Sequence, residues 1–102
     1  MSRYSVYVVP QAWNELQVLP GHVRQRIRRA ISALADTPRP NDCKALTLLD
    51  ITIEVRRIRL DRWRFIYIIT DQEQAIDVVA VRKRPLYDYG DIAQLLASRL
   101  SS

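Results

Sequence analysis

Apolar residues recur with two different periods along the chain, which predicts helices in its first half and strands in its second. Residues 4–9 are aromatic and β-branched and end at Pro10, which is typical of a first strand. Residues 11–19 and 22–36 carry apolar side chains at the spacing of one helix face, and a Pro-Gly pair separates them. We expect these two helices to pack as an antiparallel hairpin that ends at the prolines of segment 37–41.

The second half of the chain alternates apolar and polar residues, as strands do. The predicted strands and the tight turns between them are 44–48, 52–60, a turn at 61–62, 63–70, a turn at 71–74, and 75–84. Because such short turns join only antiparallel neighbours, we expect an antiparallel meander of three to four strands. After Pro85, apolar residues at helical spacing predict an amphipathic helix over 88–100. The predicted fold class is α+β, with residues 1–102 forming a single domain.

Composition excludes several classes of function. Two glycines are too few for a glycine-rich phosphate loop, and no apolar run has the length of a membrane span or a signal peptide, so we expect a cytoplasmic protein. The single cysteine, Cys43, can form no internal disulfide and is interpreted as a small packing residue. No group of Cys, His or carboxylate residues has metal-ligand spacing, so neither a metal nor another cofactor is predicted.

The charge of the chain favours a polyanionic partner. Sixteen lysines and arginines face eleven acidic residues, for a formal net charge of +5, and fourteen of the sixteen are arginine. The planar guanidinium of arginine presents a fork of donors that matches phosphate oxygens, whereas lysine acts as a point charge. Net charge alone fits equally well a basic protein that its charge keeps soluble, so the arrangement of the cations has to distinguish the two.

The cations cluster on the predicted strands. Five arginines fall within nine residues, and three more cations end the last strand: Arg56, Arg57, Arg59, Arg62, Arg64, Arg82, Lys83 and Arg84. Alternate residues of a strand share a face, so Arg57 and Arg59 point together, the hairpin returns Arg64 beside them, and Arg84 is expected near Arg64. These residues predict an exposed cationic row on one sheet face, with the helices on the other, and RNA is the favoured partner.

An alternative is that these arginines are ordinary solvated charges, some of them paired with Glu54, Asp61 or Asp77. Like charges that face each other across strands are destabilising, however, which favours a bound anion. The aromatic residues of strand 63–70 alternate with Arg64 and are interpreted as core rather than as base-stacking residues. His22, the only histidine, is expected far from the row, which excludes a paired-histidine ribonuclease mechanism.

The order and spacing of these pieces resemble the RelE/ParE superfamily of bacterial toxins. The resemblance extends from the first strand to Tyr89, and residues 57–67 are similar to the arginine hairpin of that family. It also includes the Pro-Arg-Pro segment ahead of Lys44 and the closing cations followed by Tyr87. RelE-type members cleave messenger RNA, commonly in the ribosomal A site, and a cognate antitoxin inhibits them. ParE-type members share the fold and act on DNA gyrase.

The resemblance implies a RelE-like microbial ribonuclease fold and a set of site residues. The implied catalytic residues are Arg57, Arg64, Arg84 and Tyr87. The candidates for RNA binding are Lys44, Arg56, Arg59, Arg62, Arg82, Lys83 and Tyr89. Val55 and Arg57 stand where RelE has a pair of lysines, and the spacing from Arg84 leaves Tyr89 as an alternative to Tyr87.

The implied function is that of a type II toxin, a metal-independent mRNA endoribonuclease that acts on ribosome-bound message. Its implied partners are an acidic antitoxin, mRNA and the ribosome. A phenol with a pKa near 10 and an arginine with a pKa above 12 are poor bases, so orientation of the substrate would have to supply much of the rate. The alternatives are a ParE-type gyrase inhibitor without nuclease activity and a plain RNA-binding module.

Overall fold

The computed structural model describes residues 3–46 and 53–83. Within these ranges the elements are β1 (Ser5–Val8), α1 (Pro10–Gln17), α2 (Gly21–Ala33), β2 (Cys43–Leu46), β3 (Glu54–Leu60), β4 (Trp63–Thr70) and β5 (Ala75–Lys83). The predicted order of elements is confirmed as far as β5, and so are the bounds of β4. The helix predicted over 88–100 and the candidates Arg84, Tyr87 and Tyr89 lie outside the described residues.

Local sequence explains where these elements begin and turn. Pro10 ends the first strand, as predicted, and also begins α1, where the N–H that proline lacks would have no helical partner. Asp61 adopts a left-handed conformation, with φ of 56°, which lets β3 return into β4 through a turn of two residues. A short 3-10 turn at Asp71–Glu73 joins β4 to β5.

The five strands form one sheet in the order β1-β5-β4-β3-β2. The three pairs β2–β3, β3–β4 and β4–β5 are antiparallel, which confirms the predicted meander. β1 joins the sheet by pairing in parallel with β5. The extra residue Val79 forms a bulge in β5, because Ile66 pairs with Ala80 while Tyr67 pairs with Val78.

The two helices cover one face of this sheet. Val6 and Val8 of β1 line a crevice together with Leu16 of α1 and Ile31 of α2. Residues directly opposite each other in a sheet share a face, so the pairing of Val8 with Val78, and of Val78 with Tyr67, extends this helix face into β4. The opposite side of the sheet is called the far face below.

The core spans the helix face and the central strand. Phe65 and Tyr67 of β4 are completely buried, which confirms their interpretation as core. Burial also raises the pKa of the Tyr67 hydroxyl, which donates a hydrogen bond of 2.9 Å to the carbonyl oxygen of Pro38. Ile66 and Ile68, which point to the far face, are buried as well. β4 is therefore buried on both faces.

Helix α1 covers the part of β5 that β1 leaves unpaired. β1 pairs with β5 only as far as Val78, so the amides of the second half of β5 have no strand partner on that side. The Val81 N–H instead donates a hydrogen bond of 2.8 Å to Oε1 of Glu15 on α1. None of the helices in the part of the chain that the structure describes has the length and apolar character needed to cross a membrane.

Candidate functional site

Cations from four strands meet on the far face. The register places Arg59 opposite Arg64 and Arg64 opposite Arg82, so that one arginine from each of three strands forms a single rung. Arg57 is two residues from Arg59 in β3 and therefore points to the same face. It lies opposite Lys44 of β2. We call this cluster the basic row, and its members are Lys44, Arg57, Arg59, Arg64 and Arg82.

Arg64 occupies the centre of the basic row and is buried. Its exposed fraction is 3%, and it lies on β4, the middle strand of the sheet, between Arg59 and Arg82. The expectation of an exposed row is therefore wrong for Arg64. Arg59 and Lys44 are exposed, while Arg57 and Arg82 are half-buried. The row combines one buried arginine with three arginines and one lysine that solvent can reach.

The basic row contacts one carboxylate from a helix. Nε of Arg82 lies 2.9 Å from Oε2 of Glu15, whose other oxygen accepts the Val81 amide. Of the carboxylates considered above as partners of the hairpin arginines, Glu54 pairs with Arg56 as well as with Arg39, whereas Asp61 pairs with Arg26 of α2. Within residues 3–46 and 53–83, Arg57 and Lys44 form no ion pair.

Three candidates for RNA binding lie away from the basic row. Arg56 lies opposite Tyr67 and so points to the helix face, where its Nε is 2.5 Å from Oε2 of Glu54. Lys83 lies opposite Trp63 on that same face, with its Nζ 5.8 Å from the centroid of the Trp63 ring. Arg62 is in the turn that joins β3 to β4. Adjacent residues of a strand point to opposite faces, so Arg56 cannot lie beside Arg57 on the row.

A polar network connects residues on the helix-face side of the sheet. Arg39 donates to Glu54 and to Asp71, and Asp71 also accepts a hydrogen bond of 2.6 Å from the Tyr4 hydroxyl. Hydrogen bonds from Arg39, and then from Arg56, lower the pKa of Glu54 to about 2. The Tyr4 and Arg39 hydrogen bonds likewise lower the pKa of Asp71. This network stabilises the fold on the side away from the basic row.

A second candidate surface lies at the β3–β4 turn. A crevice of about 470 Å³, called the turn crevice below, is lined by His22, Val23, Arg26, Asp61, Arg62 and Trp63. His22 does lie off the basic row, as expected, but it shares this crevice with the candidate residue Arg62. Sequence reasoning missed the turn crevice, and it also missed Glu15. Local sequence patterns do not show that α2 packs against the β3–β4 turn or that α1 packs against β5.

Comparisons with known proteins agree with this architecture. The family model described as ParE toxin of type II toxin-antitoxin system, parDE, matches residues 6–85. None of the curated proteins compared with the chain matches it significantly.

Solved structures with the same fold include several RelE toxins. A chain of the archaeal RelE-RelB complex from Pyrococcus horikoshii OT3 is 24% identical, with a TM-score of 0.73 over 83% of this chain and 99% of that chain. The isolated Escherichia coli RelE toxin is 20% identical, with a TM-score of 0.67 over 91% and 98%. The toxin-antitoxin complex RelBE2 from Mycobacterium tuberculosis gives 20% identity and a TM-score of 0.68 over 80% and 99%. With a family model that matches most of its length and a RelE-like fold, this chain belongs to the RelE/ParE family of type II toxin–antitoxin toxins.

Proposed function

We propose that this toxin is an endoribonuclease that cleaves messenger RNA on the ribosome and thereby inhibits translation. The basic row supports the proposal most directly, because Arg59, Arg64 and Arg82 form one rung and Arg57 follows on the next. An RNA phosphate placed on the rung could bind these guanidinium groups through charge-assisted hydrogen bonds.

In the proposed reaction, the 2′-hydroxyl oxygen of a ribose attacks the adjacent phosphorus in line. The bond from phosphorus to the 5′-oxygen breaks, which leaves a 2′,3′-cyclic phosphate and a 5′-hydroxyl group. A base removes the proton of the 2′-hydroxyl, and an acid protonates the departing 5′-oxygen. Hydrolysis to a linear phosphate is not part of this step, so no metal-bound water is needed.

Arg64 is suited to stabilising the charge that develops on the phosphate oxygens. A buried guanidinium is already fixed in place and acts in a medium of low dielectric constant, so it stabilises a transition state more than an exposed one does. Arg57, half-buried one rung away, would hold the same phosphate from the side of β3. Arg84, the next residue in sequence after β5, is proposed to assist, and Tyr87 to transfer a proton, with Tyr89 as the alternative.

An acidic antitoxin is the proposed protein partner. The similar structures from Pyrococcus horikoshii and Mycobacterium tuberculosis are toxin–antitoxin complexes. The net charge of +5 and the basic row favour an antitoxin segment that is rich in carboxylates and covers the row. Such a segment would occupy the positions that RNA phosphates take in the free toxin.

A ParE-type inhibitor of DNA gyrase is the second candidate, because the matching family model carries the ParE name. A gyrase inhibitor has no need of arginines that converge on a phosphate. The two candidates therefore differ in whether activity depends on the basic row.

Pulse labelling after induction distinguishes the two candidates. We expect the wild type to stop methionine incorporation first, with primer extension showing cuts inside translated regions. Arg57→Ala should lower cleavage by roughly a hundredfold or more, as loss of one transition-state donor does. Arg29→Ala, which removes an exposed arginine of α2, is the matched control and should cleave like the wild type. If thymidine incorporation collapses first while translation continues, or if Arg57→Ala stays as toxic as the wild type at equal expression, the nuclease proposal fails.

A further inference from the structure

The turn crevice combines a cation and an aromatic ring at one place. His22, Val23 and Arg26 of α2 form one wall, and Asp61, Arg62 and Trp63 at the β3–β4 turn form the other. The first turn of α2 contains no acidic residue, so the positive end of its dipole adds to the potential there. With about 470 Å³ and an opening to solvent, the crevice is large enough for a nucleotide-sized group.

The charges of the turn crevice are not all neutralised within it. Asp61 pairs with Arg26 through an Nη1–Oδ2 contact of 2.5 Å, and 71% and 49% of their side-chain surfaces are exposed. Arg62 is exposed and, among the residues that the structure describes, forms no ion pair. Binding of a phosphate to its guanidinium would therefore break no ion pair within the described residues.

Trp63 supplies a flat apolar surface in the same crevice. Unlike Phe65 and Tyr67, Trp63 is only partly buried against the core and also lines the crevice, so its interpretation as a core residue alone is corrected. Lys83 lies 5.8 Å from the ring centroid, which adds a second cation near the same ring. An indole ring flanked by cations is the combination on which single-stranded nucleic acids stack their bases while their phosphates bind the charges.

The hairpin end connects the turn crevice with the basic row. Leu60 and Trp63 form the last pair of the β3–β4 ladder, and the next pair is Arg59 with Arg64. Consecutive residues of a strand point to opposite faces, so the two surfaces lie on either side of the sheet, separated by its thickness at the turn. A single strand of RNA that passes round this turn would reach both.

We propose that the turn crevice binds one nucleotide of the single-stranded RNA that lies on the basic row, with its base on Trp63 and its phosphate on Arg62. The assignment rests on the proposed function, in which RNA is the substrate. An acidic polypeptide could also bind Arg62, but it has no group that requires the indole ring. RNA uses both features, and it is the partner that the basic row already favours.

Tryptophan fluorescence tests the assignment without ribosomes and without cleavage. The chain has two tryptophans, and Trp13 lines a different crevice, so a Trp13→Phe variant makes Trp63 the only reporter. We expect hexauridylate to quench Trp63 saturably. Adding Arg62→Ala should raise the Kd roughly tenfold and reduce the dependence of log Kd on log salt by about 0.7, the value for one phosphate contact on a single strand.

Arg29→Ala in the same Trp13→Phe background is the matched control, since it removes an exposed arginine of α2 outside the crevice. Its Kd should stay within about twofold of the parent. Equal effects of Arg62→Ala and Arg29→Ala would mean diffuse charge binding and would overturn the assignment. Quenching by octaglutamate as tight as that by hexauridylate would overturn it in favour of an acidic polypeptide.

A second measurement follows labelled hexauridylate by anisotropy in the otherwise native chain. Trp63→Leu should raise the Kd roughly tenfold, as loss of one base-stacking ring does, while Trp63→Tyr should largely retain the affinity. Thermal unfolding of each variant shows whether it is folded, and equal affinities for Leu and Tyr at matched stability would overturn the stacking role. A toxin that leaves messages intact but shows these effects would refute the nuclease proposal and keep the crevice assignment.

Discussion

Arg64 differs from the rest of the basic row because it is buried between two other arginines. Its methylene groups contribute packing, while its charge faces Arg59 and Arg82 on the neighbouring strands. An exposed arginine contributes little to folding, but Arg64 is buried. Its contributions to stability and to catalysis therefore have to be measured separately.

We predict that Arg64→Ala lowers the free energy of unfolding by about 1–3 kcal/mol, because it removes buried methylene groups. Arg64→Lys keeps most of the stem and the charge, so it should lose less stability. It loses the planar fork, and message cleavage should fall in both variants. Urea unfolding measures the stabilities, with half-buried Arg57→Ala as the comparison. An Arg64→Ala variant as stable as the wild type would contradict the packing role.

At the scale of elements, α1 replaces a strand at the edge of the sheet. β1 ends its pairing with β5 at Val78, and Glu15 then accepts the Val81 amide and pairs with Arg82. One carboxylate thus satisfies a backbone donor of β5 and fixes the outer arginine of the row. The position of Arg82 therefore depends on α1, whose Glu15 precedes Val81 by 66 residues in the chain.

We predict that Glu15→Ala destabilises the fold by about 1–3 kcal/mol, because a backbone donor loses its partner. Glu15→Gln keeps an oxygen that can accept from the Val81 amide, so most of that cost should be avoided. Hydrogen exchange by NMR should show faster exchange of the Val81 amide in the alanine variant alone. Glu73→Ala, which removes an exposed acid from the β4–β5 turn, is the control. If the Val81 amide exchanges as slowly in Glu15→Ala as in the wild type, Glu15 is not the acceptor that protects it.

At the scale of the whole molecule, the Arg39 network connects segments that are far apart in sequence. Arg39 lies in the loop after α2, and its partners Glu54 and Asp71 lie in β3 and in the β4–β5 turn. Tyr4, just before β1, bonds to the same aspartate. Breaking this network should loosen several elements together.

The lowered pKa of Glu54 makes the contribution of the Arg39 network to folding stability depend on pH. Its carboxyl titrates at about 2 in the folded chain and near 4.5 when unfolded, so the stabilisation is complete above about pH 5 and is lost as the pH falls towards 2. We expect the loss to be about 1–2 kcal/mol, since Glu54 and Arg39 keep 30% and 37% of their side-chain surface exposed and solvent screens the pair. Urea unfolding between pH 7 and pH 2 measures it.

Glu54→Gln removes the titrating group, so its stability should fall less steeply between pH 5 and pH 2 than that of the wild type. Glu73→Gln, in the exposed turn, should follow the wild-type profile. Parallel profiles for Glu54→Gln and the wild type would show that the network does not produce the pH dependence.

The sequence by itself determined the elements and the faces of individual strands. Helical and alternating periods depend on neighbours a few residues apart, which is why β4 was predicted with its observed bounds and α1 and α2 within a few residues of theirs. The alternation of side chains along a strand placed Arg57, Arg59 and Arg64 on one face. The same rule, applied to every residue of the strand, would also have placed Arg56 on the other face. The family resemblance supplied the roles of these residues, which remain proposals.

Only the tertiary structure decided which strands are neighbours and what is buried. The parallel pairing of β1 with β5, the burial of Arg64, the bond from Val81 to Glu15 and the turn crevice all join residues that are distant in sequence. Such contacts form when the whole chain packs to bury apolar surface and to satisfy backbone donors, and local periodicity carries no information about the partner. The basic row could therefore be predicted as a set of cations, whereas its buried centre and its helix-bound end could not.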